Sequence, residues 1–405
     1  MCLLYYTVSG RRWQAPRPTN LQCPEVIVLH YLDYAATTPV PEEVARAVYT
    51  ALTEDFFNPS AQYDAAAAVR QAVAAARSTV ARGLGCDPRQ IYFTSCGTES
   101  NNWAIRAAAW HGRRAGRHII TTAVEHSAVL EPLRALEQEG YEITRLRPDS
   151  SGHVSAGQVA GALRQDTVLV SMMLVNNETG CLFPVEEVAR LLKEQKSGAL
   201  LHCDAVQGFM KVPCAPASWG VDLMSLSAHK LGGPKGIGAL YVSPRLKNLR
   251  PLLFGGGQEE GLRSGTEATG QIAGFAAATE LWLRRGEEWR ARMAALKEDC
   301  LARLLTIPGM MRVGQGKAPH ILCLSLPGYP SGNIVTDLGA QGICISAGSA
   351  CHKGKPSHVI AAMGLSKREA AGAFRVSFGP DSTAEDVEAL YRALSEHQAR
   401  RFPML

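Results

Sequence analysis

From Tyr31 to about residue 245, short apolar runs alternate with longer stretches whose apolar positions recur every three or four residues. The expected strands are Ile91–Thr94, His118–Thr121, Glu142–Leu146, Thr167–Val175, Ala199–Cys203, Asp222–Ser225 and Ile237–Val242. Helical periodicity fills Ala65–Arg82, Glu99–Arg114, Ala128–Glu139 and Val185–Glu194. Strand and helix repeated in this way predict an α/β fold, with a mostly parallel seven-stranded sheet covered by helices on both faces. Ligands of such sheets bind where loops leave the carboxyl ends of the strands. Residues 280–305 read as a long charged helix. A strand at Ile321–Leu326, a Gly/Ser/Cys loop and a final helix from Ser382 then predict a small α+β domain. Residues 1–29, with Pro16, Pro18 and Pro24 and no amphipathic period, read as a partly disordered extension. The division expected is this extension, a large domain at 41–284, and a small domain made of 30–40 and 285–405.

Composition narrows the class. Of 405 residues, 46% are hydrophobic, too many for a disordered chain. Lys and Arg number 42 against 37 Asp and Glu, a net charge of +5 without a long basic run, so nucleic acid is not an expected direct partner. No span of 18 apolar residues is present, and the first residues place apolar side chains before positive ones, the reverse of a secretory signal. A cytoplasmic protein is expected. The eleven cysteines include no C-x-x-C pair, which argues against a zinc site, and a disulfide framework belongs to much shorter chains.

Candidate chemistry clusters just beyond the strand ends. Ser227-Ala228-His229-Lys230 follows one strand and precedes a glycine-rich turn; the lysine can form a Schiff base with an aldehyde cofactor, or the segment is a solvated loop. Thr94-Ser95-Cys96-Gly97-Thr98-Glu99 opens a helix. The Gly97 and Thr98 amides there can hold an anion, or Ser95 or Thr98 is an ordinary helix cap. Asp204 ends a third strand, followed by Gln207, and can pair with a protonated pyridine nitrogen or cap a helix. Glu125-His126 and Asn176-Asn177 follow two more strands. Several polar sites beyond the ends of one sheet supply a full set of partners for one cofactor.

In these segments, and in Tyr31-Leu32-Asp33-Tyr34-Ala35-Ala36-Thr37-Thr38-Pro39, the chain resembles the pyridoxal-phosphate-dependent cysteine desulfurases, class V aminotransferase-like enzymes of fold type I. The resemblance runs to about residue 395. It implies that Lys230 carries pyridoxal 5'-phosphate, that Asp204 pairs with the ring nitrogen and Gln207 with the ring hydroxyl, and that His126 stacks on the ring and handles protons. Thr98, Ser227 and His229 then hold the phosphate with the Gly97 amide. Thr266, in Leu262-Arg263-Ser264-Gly265-Thr266, matches a threonine that reaches the phosphate of a neighbouring subunit, which implies a homodimer.

Toward the C-terminus, Ser346-Ala347-Gly348-Ser349-Ala350-Cys351 is similar to the family's nucleophile loop. Phe374-Arg375-Val376-Ser377 is similar to the strand whose arginine binds the substrate carboxylate, with Asn177 assisting. A guanidinium fork suits a carboxylate because it bonds two-pronged. The implied reaction turns L-cysteine into L-alanine. The Cys351 thiolate takes the sulfur as a persulfide and passes it to an iron–sulfur scaffold or to a tRNA-thiolating or cofactor-thiolating enzyme. Cys351 needs help to ionise, its ordinary pKa being about 8.5, and His352, Lys353 and Lys355 lie beside it in sequence. Cys96 stands where glycine is usual. The alternatives are a selenocysteine lyase and, outside the enzymes, a catalytically silent partner-binding scaffold of the same fold.

Overall fold

The computed structural model describes residues 6–8, 11–12, 27–347 and 357–400. Its centre is a seven-stranded sheet in the order Ile91–Thr94, Gly238–Val242, Leu223–Ser227, Leu200–Asp204, Thr167–Met173, His118–Thr122, Glu142–Leu146. Gly238–Val242 runs antiparallel to both of its neighbours, while the other neighbouring pairs are parallel. Six strands therefore present their carboxyl ends along one edge.

The unbroken apolar runs follow from burial on both faces. Ile119, Leu169, Leu200, Leu223 and Leu240 pack with Trp103, Ala104, Ala108 and Leu133 on one face. The next residues along, Ile120, Val170, Leu201, Met224 and Tyr241, join Val80, Leu84 and Phe275 on the other. That alternation is the period of two of a strand, here apolar on both sides. Inside the sheet His202 bridges three strands, its Nδ1 2.9 Å from Ser171 Oγ and its Nε2 3.0 Å from Ser225 Oγ.

A second, antiparallel sheet has the order Met311–Arg312, Ile321–Ser325, Ala373–Ser377, Ser346–Ala347. Residues 30–38 join the two sheets. His30–Tyr31 pairs with Ile343–Cys344, the Ala35 amide donates to Ser377 Oγ at 2.9 Å, and Thr38 Oγ1 donates to the His229 carbonyl at 2.9 Å.

One expectation changes. The long charged helix is Thr269–Leu304; it starts well before residue 280 because its first turns carry the buried Ile272, Phe275 and Ala278 rather than charges. The expected domain boundary at 284/285 thus falls inside a continuous helix. Within 1–29, the described residues form short strands, Tyr6–Val8, Arg11–Arg12 and Ile27–Val28, in a three-stranded sheet. Among the described residues no helix is long and apolar enough to cross a membrane.

Candidate active site

A cavity of about 750 Å³ opens at the carboxyl edge of the seven-stranded sheet. Gly97, Thr98, His126, Asn177, Asp204, Gln207, Ser227, His229, Lys230 and Arg375 all line it. Thr266 does not; it is exposed elsewhere on the surface. Cys351, with His352, Lys353 and Lys355, lies outside the described residues.

Lys230 ends the short turn Ala228–Lys230 that follows strand Leu223–Ser227. Its Nζ donates to the Ala35 and Ala36 carbonyls, both at 2.7 Å. Burial and the nearby Arg375 charge bring its pKa down to about 8, against the pull of Asp33 and Asp204. Such an amine is far closer to its nucleophilic, neutral form than an exposed lysine.

Asp204 terminates Leu200–Asp204 and is buried. One carboxylate oxygen accepts from the Val206 amide at 3.0 Å and the other from Asn101 Nδ2 at 2.7 Å. Burial pushes its pKa up, while Val206, His126, Asn101 and Lys230 oppose the shift.

His126 caps helix Ser127–Gln138, its Nδ1 accepting from the Ala128 amide at 3.1 Å. A ring nitrogen that accepts carries no proton, so the neutral ring holds its hydrogen on Nε2. Burial, with Lys230 and His358, lowers its pKa against Asp204.

Helix Gly97–Gly112 differs from both capping alternatives. Cys96 occupies the cap position and makes no side-chain bond to the helix, while Glu99 reaches back to the Ser95 amide at 2.9 Å. Glu99 is itself held by Arg263. The first turn, Gly97 and Thr98, therefore meets the cavity without a side-chain cap, the condition for an anion site. A Cβ on Gly97 would lie 2.7 Å from Val206 Cγ2, so a larger residue here has to push that side chain aside. His229 Nδ1 sits 3.2 Å from Thr37 Oγ1, and burial with three neighbouring lysines lowers its pKa to about 4.

These groups fit pyridoxal 5'-phosphate. Gln207 Nε2 donates to the Ala35 carbonyl at 2.8 Å, yet among the described residues its buried Oε1 has no partner, nor has Asn101 Oδ1. A buried polar atom without a partner costs free energy unless a ligand or water completes it.

Arg375, from strand Ala373–Ser377, donates through Nη1 to the Asn177 carbonyl at 2.8 Å, and through Nη2 to Asp33 Oδ1 at 2.7 Å and Ser346 Oγ at 3.0 Å. Asp33, Asn101, Glu125, Ser346 and His358 carry no site role in the sequence pattern. Asn101 falls one helical turn beyond Gly97, a polar residue on a buried helix face, and that placement is a signal. Glu125 is buried with its pKa raised to about 8, its Oε1 accepting from Thr122 Oγ1 at 2.7 Å and from the Met173 amide at 3.0 Å. His358 Nε2 donates to the Glu125 carbonyl at 2.9 Å, which ties the start of helix His358–Ala362 to the turn that carries His126. Nothing local in the sequence marks that contact.

The model for the class V aminotransferases, Aminotransferase class-V, matches residues 30–390, so fold and site together define a pyridoxal-phosphate enzyme of fold type I. The chain is 39% identical over 370 residues to the cysteine desulfurase IscS of Methanosarcina thermophila, covering 90% of this chain and 91% of that protein. Among solved structures, a NifS-like protein superposes with a TM-score of 0.86 at 34% identity, over 92% of this chain and 99% of its own. SspA in complex with cysteine superposes with a TM-score of 0.77 at 36% identity, over 86% and 99%. The chain belongs to the cysteine desulfurase family of the class V aminotransferases.

Proposed function

We propose that this protein converts L-cysteine to L-alanine and carries the removed sulfur on Cys351 for delivery to an acceptor protein that assembles iron–sulfur clusters or thiolates tRNA. The observation that supports this most is one cavity holding both the half-buried Lys230 amine, its pKa lowered to about 8, and the Arg375 guanidinium. The cysteine complex of the similar SspA supports the substrate.

Gly97, Thr98, Ser227 and His229 hold the phosphate of pyridoxal 5'-phosphate, Asp204 its ring nitrogen, Gln207 its ring hydroxyl, and Lys230 its aldehyde carbon. When bound, that group supplies an electron sink for the pair left as the Cα proton departs. Arg375 and Asn177 fix the substrate carboxylate. The neutral Lys230 amine takes the Cα proton, and His126 moves protons through Nε2. The Cys351 thiolate bonds to the substrate sulfur as the Cβ–S bond breaks, and Cβ gains a proton.

We also read the protein as a homodimer with Thr266 completing the phosphate site of the partner subunit. The cytoplasm suits it, since the described cysteines are free thiols. The test is to mix holoenzyme with L-cysteine and find, by mass spectrometry, alanine in solution and one extra sulfur on Cys351. Sulfur on another thiol, with Cys351→Ala fully active, would overturn the assignment.

A further inference from the structure

Hydrogen counting at Arg375 points to a role for two residues. A guanidinium has five N–H hydrogens: one on Nε and two on each Nη. Both Nη2 hydrogens are committed, one to Asp33 Oδ1 at 2.7 Å and one to Ser346 Oγ at 3.0 Å. Ser346 Oγ donates its own hydrogen to the same Asp33 Oδ1 at 2.8 Å, so toward the arginine it only accepts. One Nη1 hydrogen goes to the Asn177 carbonyl. Among the described residues, that leaves one hydrogen on Nη1 and the Nε hydrogen, which is buried without a partner.

The two spare hydrogens point from different edges of the plane. A carboxylate engages a guanidinium two-pronged either side-on, through Nε and Nη2, or end-on, through Nη1 and Nη2. Each mode draws one hydrogen from Nη2. The arginine as it stands has none to give, and its fork is already filled by a resident carboxylate and a hydroxyl.

We propose that Ser346 and Asp33 are positioning residues for substrate recognition: the Ser346 hydroxyl occupies the place on Arg375 Nη2 that the substrate carboxylate takes over, while Asp33 stays as the counter-charge that aims the fork. Ser346 yields first because its bond is longer and to a neutral oxygen, whereas the Asp33 contact joins two charges, both largely buried. The inference rests on the reading of Arg375 as the carboxylate site. The resident negative charge also sets selectivity, since it discounts the attraction of Arg375 for any anion and leaves the two-pronged geometry to decide. Ser346 is five positions before Cys351 in sequence, so the group displaced by substrate belongs to the strand that leads to the nucleophile.

The test is titration of the holoenzyme with L-alanine, the product with the same carboxylate, followed by the visible absorption of the bound cofactor. Ser346→Ala removes the competing acceptor, and Asp33→Asn keeps an acceptor oxygen while removing the competing charge. Each is expected to tighten binding about twofold to fivefold, the scale of one modest hydrogen bond. Asp33→Ala, which releases the fork, is expected to weaken it. L-cysteine turnover should follow in KM rather than kcat. If Ser346→Ala and Asp33→Asn leave binding unchanged, or weaken it as Asp33→Ala does, the proposal is overturned. A crystal structure of the wild-type complex gives an answer free of folding effects: Ser346 Oγ still about 3.0 Å from Arg375 Nη2 beside bound alanine overturns it. Arg375→Lys separates the two levels, because L-alanine binding unaffected by that change removes the carboxylate site itself.

Discussion

On one side of the cavity, Thr98, His126, Asp204 and Lys230 each lie no more than four residues from the end of a strand of the seven-stranded sheet. On the other side, Arg375 is held by Asp33, Asn177 and Ser346, drawn from three distant parts of the chain. The first side inherits its geometry from sheet register, so each residue is placed by the strand before it. The second also uses register, Ser346 lying opposite Arg375 in the small sheet, but the guanidinium itself is aimed by side-chain bonds, one of which the substrate carboxylate takes over. Groups that must not move sit at the strand ends of the large sheet, and the group that trades partners sits on the small sheet, where distant parts of the chain meet.

The sharpest way to break this contrast is on the sheet side. Lys230→Ala is expected to lower turnover by about 10³-fold or more, since it removes both the covalent attachment and the proton acceptor at Cα. Spectra should show the cofactor no longer trapped by borohydride. Asp204→Asn keeps the shape but removes the charge, and kcat is expected to fall by about 10²-fold, measured against an unchanged secondary structure by circular dichroism. On the assembled side, Arg375→Lys is expected to raise KM about tenfold to a hundredfold and to leave kcat less affected, because a lysine cannot make the two-pronged contact. A kcat loss at Arg375 as large as that at Lys230 would erase the distinction.

A gentler test uses pH. Lys230 reacts as the neutral amine, which exists above its pKa. With that pKa lowered to about 8, the rate at which apoenzyme takes up pyridoxal phosphate should rise through pH 8 and then level off. A rise that continues to the ordinary lysine range near 10.5 would show that burial does not tune this amine. The smallest effect is at the phosphate cradle: Gly97→Ala pushes only against the end of the Val206 side chain, and cofactor affinity is expected to fall less than about tenfold.

The same contrast decides what the sequence could reveal. Asp204 and Lys230 were legible because each follows an apolar run whose strand character is local, and the parallel sheet followed from runs apolar at every position. Asp33 lies 342 residues from Arg375, and no pattern of either segment predicts that their charges meet. Glu125 stood beside His126 in plain view, but its near-neutral carboxyl comes from burial beneath three strands' worth of neighbours, which only the fold supplies. The position of the cap before helix Gly97–Gly112 is hidden for a related reason. Ser95 and Thr98 have the chemistry of caps, yet the backbone places Cys96 at that position.

The His202 bridge between Ser171 and Ser225 has a consequence for survival in acid. Burial lowers its pKa from the ordinary 6.5 to about 3. Above pH 6.5 the folded and unfolded chains are both neutral at this ring, and it does not affect their balance. As pH falls from there toward about 3, the unfolded chain accepts a proton that the folded chain refuses, so folding loses ground with each step. The residue that fastens three strands of the sheet thus also contributes to the loss of stability in acid. His202→Gln should flatten the pH slope of urea unfolding between about pH 6 and 4, even where it lowers stability at neutral pH.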